Sequence, residues 1–235
     1  MHRREMQSEA SKPAASPMRQ IHSELRFEVL GARAEPYAAG PTVVLRLRIE
    51  SAADEPIHAV VLRCQLRIEP QRRRYDGEEE ERLYGMFGVP SGWGESLRPF
   101  LWTHVATTVT GFTRSTEVDL HVPCTYDMEV AATRYLHALG EGDIPIVLLF
   151  SGTVFTRGAQ GFVVEPVAWH AEASHKLPVK VWREAMDALF GGSGWLRLRR
   201  DVLDGIAGHQ AALGLASLED AIVSLLSRAE TRVTP

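Results

Sequence analysis

The chain has 235 residues, of which 45% are hydrophobic and 24% are charged, and its formal net charge is −4. This composition predicts a globular protein with a substantial core, and it excludes a surface that attracts nucleic acid as a whole, although it leaves room for a local basic patch. The longest apolar run, IPIVLLF, has seven residues. A bilayer span takes about 20 residues, so no membrane helix is expected.

The N-terminal segment, residues 1–22, contains Ser, Ala, Pro and charged residues without an apolar stretch. It therefore predicts a disordered tail and not a secretory signal. Two cysteines, Cys64 and Cys124, do not make a disulfide framework. We expect reduced thiols in a cytoplasmic protein.

The next three segments, 25–37, 41–51 and 57–69, are patterned as β-strands. Alternating side chains of the second and third strands are apolar and are expected to point inward: Val43, Leu45, Leu47, Ile49, Val60, Leu62, Cys64, Leu66 and Ile68. This period of two favours antiparallel sheets with one face in water. The turn at 53–56 is expected to join the second and third strands as a hairpin.

The middle of the chain predicts a short helix that begins at Gly77, followed by a loop at 88–94. Further strands are predicted at 100–112, 115–124, 144–157 and 161–174, and helices at 125–140 and 178–190. The last of these helices has an apolar face of Val179, Trp182, Met186, Leu189 and Phe190.

Together these elements predict an α+β fold built on an antiparallel β-sandwich or curved sheet of about seven strands. The glycine-rich stretch at 191–194 is the best internal boundary, because glycines remove side-chain contacts there. We therefore expect a main domain at 23–190 and a C-terminal segment at 191–230 that packs on it.

The C-terminal segment reads as a short basic strand followed by two helices. Asp201 is expected to cap the first helix, and Ser217 with Asp220 resembles a capping box at the start of the second. Both helices have residues that we expect to be buried: Val202, Leu203, Ile206, Leu213, Leu218, Ala221, Ile222, Leu225 and Leu226.

The order strand, helix, turn, helix resembles a ribbon-helix-helix unit of DNA-binding dimers. That resemblance implies that Trp195, Arg197 and Arg199 would enter the major groove from a ribbon shared by two chains. The other interpretation is that the strand pairs within its own chain or packs on the main domain, with Trp195 buried. We expect the second arrangement.

Two surfaces are candidates for binding a partner protein. Arg46, Arg48, Arg63 and Arg67 would share the outer face of the expected hairpin and could hold an acidic partner. Alternatively, Glu50, Glu69 and the glutamates at 78–81 neutralise these arginines within the chain. The second candidate is the aromatic loop at 89–94, where Trp93 is expected to be exposed.

Metal and catalytic sites have only fragmentary signals. Asp119, His121 and Cys124 lie close in sequence, but no CxxC, HxxxH or HExxH pattern accompanies them. His170 and His175 lie across a strand-to-loop transition, which is not a natural spacing for a pair of ligands. The common nucleotide-binding and serine-hydrolase motifs are also missing. We predict a protein without enzymatic activity or a cofactor.

Several segments, among them VPCTYDMEVAATRY and VKVWREAMDALF, resemble those of an uncharacterised actinobacterial protein family. The resemblance covers residues 25–226 and brings no catalytic residue with it. The resemblance implies a gene neighbourhood, since members of such a family are often encoded beside [NiFe] hydrogenases and their maturation proteins. The resemblance thus implies an accessory protein that binds a protein partner and assists assembly or maturation of a hydrogenase-type redox complex. The alternative is a DNA-binding regulator, and the partner and the oligomeric state stay open.

Overall fold

The structure is a computed structural model that describes residues 24–127, 130–159, 161–191 and 196–233. Within these residues the chain forms eight β-strands in two antiparallel sheets, together with six α-helices. The three-stranded sheet has the order β1 (Leu25–Ala34), β2 (Thr42–Ser51), β5 (Ser115–Pro123). The five-stranded sheet contains β4 (Phe100–Phe112), β3 (Ile57–Ile68), β6 (Asp143–Gly158), β7 (Gly161–Pro166) and β8 (Glu172–Pro178). The predicted α+β class with antiparallel sheets is confirmed.

Alternation along β2 and β3 builds the core between the two sheets. All the residues of these two strands that were expected to point inward are buried, from Val43 to Ile68. Successive residues of a strand point to opposite faces, so their neighbours lie on the outer faces. The inner faces of both sheets belong to one continuous apolar cluster.

The expected hairpin of the second and third strands is wrong. β2 is the middle strand of its sheet, because it pairs with β1 on one side and with β5 on the other. β3 is likewise paired on both sides, with β4 and β6. Neither strand has a free edge for the other, so the chain crosses from one sheet to the opposite sheet between them.

The predicted strand at 161–174 is two strands, because β6 is long enough to pair with two partners in succession. Its second half, residues 153–158, pairs with β7, and its first half, residues 143–149, pairs with β8. Between β7 and β8 the chain stays close to β6, since the N–H of Val167 donates to the carbonyl of Gly152 at 3.0 Å.

The helices in the first part of the chain are α1 (Gly77–Phe87), α2 (Trp93–Ser96) and α3 (Ala131–Ala138). The predicted start of the third helix at residue 125 is wrong. The hydroxyl of Thr125 accepts a hydrogen bond from the N–H of Asp127 at 3.1 Å, and this local turn competes with a helix. Residues 128–129 lie outside the described residues, and helical structure begins at Ala131.

The remaining helices are α4 (Val179–Phe190), α5 (Arg200–Leu213) and α6 (Leu218–Val233). The apolar face predicted for α4 is confirmed at Val179, Trp182 and Met186, which are buried against the sheets. The side chains of Leu189 and Phe190 lie outside the described part of the chain.

In the C-terminal segment, the capping box at α6 is confirmed: Asp220 N–H donates to Ser217 Oγ at 3.0 Å, and Ser217 N–H donates to Asp220 Oδ2 at 3.0 Å. The predicted cap of α5 is wrong, because Arg199 is the residue before the helix and no side chain caps it. Asp201 lies inside the first turn and forms an ion pair with Arg199 at 2.9 Å.

The prediction that the apolar side chains of α5 and α6 are buried is also wrong for most of these residues. The two helices pack on each other, and Ala221 is the fully buried member of the predicted set. Ile206 is half-buried, and the other members are exposed: Val202, Leu203, Leu213, Leu218, Ile222, Leu225 and Leu226. Residues 196–199 belong to no strand, and Trp195 lies outside the described residues.

Among the described residues, no single helix is long and apolar enough to cross a membrane, whereas Arg200–Leu213 and Leu218–Ala229 pass that test together as a pair bent by 88°.

Gly152 gives a stability prediction for the sheet. Its φ is +144°, and a Cβ added there would lie 2.1 Å from the carbonyl oxygen of Val61 on β3. We expect Gly152→Ala to lower the free energy of unfolding by about 3 kcal/mol or more, because the new methyl group must displace backbone. Urea denaturation checks this value.

The matched control is Gly31→Ala, since nothing lies within 4 Å of a Cβ at that position. That variant should change the free energy of unfolding by less than about 1 kcal/mol. Equal stability of the two variants would contradict the register of β6 against β3.

Candidate functional site

The outer face of the three-stranded sheet carries Arg46 and Arg48 in a network of ion pairs. Arg46 binds Asp119 at 3.1 Å and Glu117 at 3.2 Å, and Arg48 binds Glu117 at 3.1 Å and Glu28 at 3.3 Å. Hydrogen bonds from Arg48 and then Arg46 hold the pKa of Glu117 below its ordinary value. These arginines are therefore neutralised within the chain, as one interpretation of the sequence expected, but by carboxylates on β1 and β5.

Arg63 and Arg67 lie on the outer face of the other sheet, so the expected surface of four arginines is wrong. β2 and β3 face each other across the core, and their outward side chains point in opposite directions. Neither Arg63 nor Arg67 forms an ion pair with the residues that the structure describes. Arg63, Gln65, His104, Leu149 and Ser151 line a shallow groove of about 550 Å³ on this face.

Trp93 is buried, which corrects the expectation that its side chain is exposed in the loop at 89–94. Its side chain is 8% exposed, and its Nε1 donates to the carbonyl of Gly88 at 2.9 Å. The short α2 turns the indole inward, where it meets Tyr75 edge-on at 5.1 Å between ring centroids. Its hydrogen bond satisfies the one polar group of the ring, so burial costs little.

Asp119, His121 and Cys124 are not brought together as metal ligands. Asp119 binds Arg46 and Arg33, and the hydrogen bonds from these arginines lower its pKa although partial burial opposes them. His121 is exposed on β5, and Cys124 follows the end of that strand. No group of three or more His, Cys, Asp or Glu residues in the described part of the chain could hold a metal ion.

His170 and His175 also have different surroundings. His170 is exposed beside Trp169 in the turn after β7. His175 is half-buried on β8, where burial lowers its pKa, and its Nε2 has no hydrogen-bond partner among the described residues.

A buried polar network that sequence reasoning missed joins α1 to the loop after α3. Arg73 binds Glu79 at 2.5 Å, and their side chains are only 8% and 3% exposed. Glu79 also accepts from the N–H of Gly140 at 2.6 Å, and Arg73 donates to the carbonyl of Asp143 at 2.7 Å. The sequence signal was the spacing of Asp76 and Glu79, which form a capping box at the start of α1.

Two described segments expose large apolar side chains together. The first is β7, where Phe162, Val163 and Val164 are 57%, 46% and 58% exposed. The ring of Phe162 lies 4.6 Å from that of His58 on the outer face of the sheet. Trp169, in the turn after β7, is almost fully exposed. The second segment is the α5–α6 pair.

Arg197 and Arg199, the arginines of the DNA-binding alternative, have different surroundings. Arg197 lines a cleft of about 400 Å³ together with Cys124, Tyr126 and Asp127. Arg199 is exposed and paired with Asp201.

The fold defines a two-sheet α+β protein in which the described residues expose two groups of large apolar side chains and contain no cluster that could hold a metal ion. Residues 22–234 match the model of DUF6084, a family of unknown function, and the chain belongs to this family. No curated protein matches the chain.

Distant similarity to solved structures is confined to a small part of much larger enzymes. A β-glucosidase from Kluyveromyces marxianus matches with 8% identity and a TM-score of 0.24, over 66% of this chain and 15% of that chain. β-Glucosidase 3B from Thermotoga neapolitana in complex with α-D-glucose matches with 12% identity and a TM-score of 0.25, over 66% of this chain and 17% of that chain. At these scores the similarity carries no inference about this chain.

The Arg73–Glu79 pair gives a second stability prediction. Glu79→Gln leaves the buried guanidinium of Arg73 without a counter-charge, and we expect it to lower the free energy of unfolding by about 3–5 kcal/mol. Urea denaturation followed by tryptophan fluorescence measures the loss.

The control is Glu78→Gln, one residue earlier on the same helix. Glu78 is 85% exposed and lies 3.4 Å from Arg82. Its replacement should change stability by less than about 0.5 kcal/mol. A similarly small effect at Glu79 would show that the network does not hold α1 in place.

Both cysteine thiols are expected to be unreactive in the folded chain. Burial raises the pKa of Cys64 and of Cys124 to about 12. At pH 8 only on the order of one thiol in ten thousand would then be the reactive thiolate. A chromogenic disulfide reagent should label neither cysteine of the native protein within minutes and both after denaturation. Rapid labelling of native Cys124 would contradict the burial of its thiol.

Proposed function

We propose that this protein is a non-enzymatic cytoplasmic accessory factor that binds a partner protein. The observation that supports this most is the concentration of exposed large apolar side chains on β7 and on α5–α6. Exposed apolar residues that cluster in a soluble chain are typical of protein-binding surfaces, since leaving them in water is unfavourable.

The side chains that could act in catalysis have other roles in this structure, which supports a binding function over a catalytic one. Asp119 and Glu117 are engaged by arginines, and the thiol of Cys124 is kept protonated by burial. Catalytic groups usually need a pKa shifted toward the working pH, and burial moves the pKa of this thiol the other way.

The identity of the partner is proposed from the resemblance to proteins encoded beside [NiFe] hydrogenases. Proteins that are not yet fully assembled transiently expose apolar surface and unpaired strand edges. An accessory protein with complementary surfaces can cover them until assembly is complete. We therefore place the partner among the subunits or maturation proteins of a hydrogenase-type complex.

Affinity capture from the native host tests this proposal. The tagged chain should reproducibly recover hydrogenase subunits or maturation proteins, identified by mass spectrometry. Val164→Lys on β7 and Leu226→Glu on α6 each place a charge among the exposed apolar residues. We expect at least one of the two to reduce affinity for the partner about thirtyfold, the change that corresponds to the roughly 2 kcal/mol of a binding hot spot, and so to reduce recovery sharply.

Thr108→Lys is the matched control, because Thr108 is exposed on β4, at the other side of the same sheet. It should recover the partner as the unchanged chain does. The proposal fails if the unchanged chain recovers no reproducible partner, or if the control reduces recovery as much as the two test variants.

The DNA-binding regulator is a second candidate, supported by the C-terminal segment. Residues 196–199 belong to no strand of their own chain, and α5 and α6 leave most of their apolar side chains exposed. Half of a ribbon-helix-helix dimer would have both properties, since its strand and its core are completed by a second chain.

The two candidates differ in their response to salt and to substitution. A DNA-binding dimer should lose affinity steeply as salt rises, because arginines that bind phosphates release counterions. In that case Arg197→Ala should cost about 1–3 kcal/mol of binding to a specific site. For the accessory factor, Trp195→Ala should reduce stability and Arg197→Ala should be nearly neutral. Gel-shift titration and urea denaturation separate the two outcomes.

A further inference from the structure

The backbone of β7 has a free edge. The register of β7 on β6 continues to Val167, whose N–H donates to the carbonyl of Gly152 at 3.0 Å. In an antiparallel ladder every second residue directs its N–H and C=O toward the same neighbour. Val163 and Glu165 therefore face β6, and the N–H and C=O groups of Phe162 and Val164 point away from it.

Other strands do not cover this edge in the described part of the chain. β7 pairs with β6 alone, at the end of its sheet. The remaining borders of the two sheets approach each other, because β1 contacts β8 and β4 contacts β5. In the described part of the chain, no contact of comparable extent joins β7 to the three-stranded sheet.

The sequence of β7 does not protect the edge. Monomeric proteins usually guard an edge strand with lysine, an internal proline or a bulge. In β7, Phe162, Val163 and Val164 are consecutive, apolar and exposed, and Pro166 only ends the strand. Since successive residues alternate, the exposed apolar side chains lie on both faces of the strand. Such an edge accepts a further strand readily.

The positive charge of Arg157 beside the free edge of β7 indicates which side chain an incoming strand should carry. Arg157 is paired with Phe162 across β6 and β7, so both side chains project from the outer face. Arg157 is exposed and has no ion pair with the described residues. A carboxylate on an incoming strand, opposite Phe162, would lie within reach of this guanidinium.

A second copy of β7 meets this requirement less well. If two copies paired antiparallel about Val163, Phe162 would lie opposite Val164 of the second copy, and Glu165 opposite Gly161. The carboxylate of Glu165 would then project from the face away from Arg157, because Glu165 and Phe162 are three residues apart. A different chain can place its carboxylate on the correct face.

We propose that β7 is a docking strand, whose free edge receives an extended segment of the partner protein with apolar residues and one carboxylate facing Arg157. This mode of binding is strand addition: backbone hydrogen bonds to Phe162 and Val164 hold the segment, and side-chain contacts select it. The inference rests on the proposed protein-binding function and specifies the chemistry of the partner.

Amide hydrogen exchange on the full chain, followed by NMR, tests the docking strand. The probe is a synthetic peptide with blocked ends, Thr-Thr-Val-Val-Glu-Thr-Thr, and the control peptide has Lys in place of Glu. At a probe concentration about ten times its Kd, exchange of the Phe162 and Val164 amides should slow about tenfold. The amides of Val163 and Glu165, which already face β6, should keep their rates.

The Lys peptide should bind about fivefold more weakly, the effect of one exposed ion pair. Arg157→Glu should reverse the preference between the two peptides while the chain stays folded. The proposal is overturned if neither peptide protects the two amides. It is also overturned if protection appears on concentrating the chain alone, which would show that a second copy occupies the edge.

Affinity capture from the native host tests the accessory function, and peptide protection tests the docking strand, so either experiment can fail without the other. If capture recovers the partner and the peptides leave Phe162 and Val164 unprotected, the accessory function stands and the docking strand is wrong. If the Glu peptide protects these amides and capture recovers no partner, the docking strand stands and the accessory function is wrong.

Discussion

The rest of the structure depends on the apolar core that the inner faces of β2 and β3 share with the other strands. β2 and β3 are adjacent in sequence, yet each is the interior strand of a different sheet. Their inner side chains, among them Leu45, Leu47, Leu62 and Leu66, are fully buried against one another in a single core. Burial of each such side chain contributes about 1.5–3 kcal/mol, which no surface ion pair of this protein can match. The outward side chains of the two strands are consequently placed on opposite sides of the molecule.

The sequence predicts the faces of these strands well and their partners poorly. Every residue of β2 and β3 that alternation predicted to point inward is buried, because a period of two is a property of the strand itself; only Ile57, at the start of β3, was missed. Pairing depends on strands far away in the chain: Glu117 and Asp119, which neutralise Arg46, lie more than 70 residues beyond it. No local pattern contains that information, so the four arginines could not be divided correctly between two surfaces.

The other features that the sequence did not predict arise where tertiary contacts override a local sequence pattern. The loop around Trp93 has the composition of an exposed turn, but a neighbouring carbonyl and Tyr75 provide a partner for the indole inside the core. Glu79 is one of four consecutive glutamates, and in the sequence only its position three residues after Asp76 distinguishes it from the other three. β7 reads as an ordinary strand, and its exposure follows from the length of β6, which leaves room for two partners along one border.

Because β1 contacts β8 and β4 contacts β5, the free edge of β7 is the open border of the described strands, and the proposed strand addition depends on it. Native-state amide exchange on the free chain at low concentration measures it most directly, residue by residue. If the edge is open, Phe162 and Val164 should exchange fast, while Val163 and Glu165, whose backbone groups face β6, should exchange slowly. Equal protection of all four amides would show that the edge is already covered, and equal lack of protection would show that β7 is not part of the sheet.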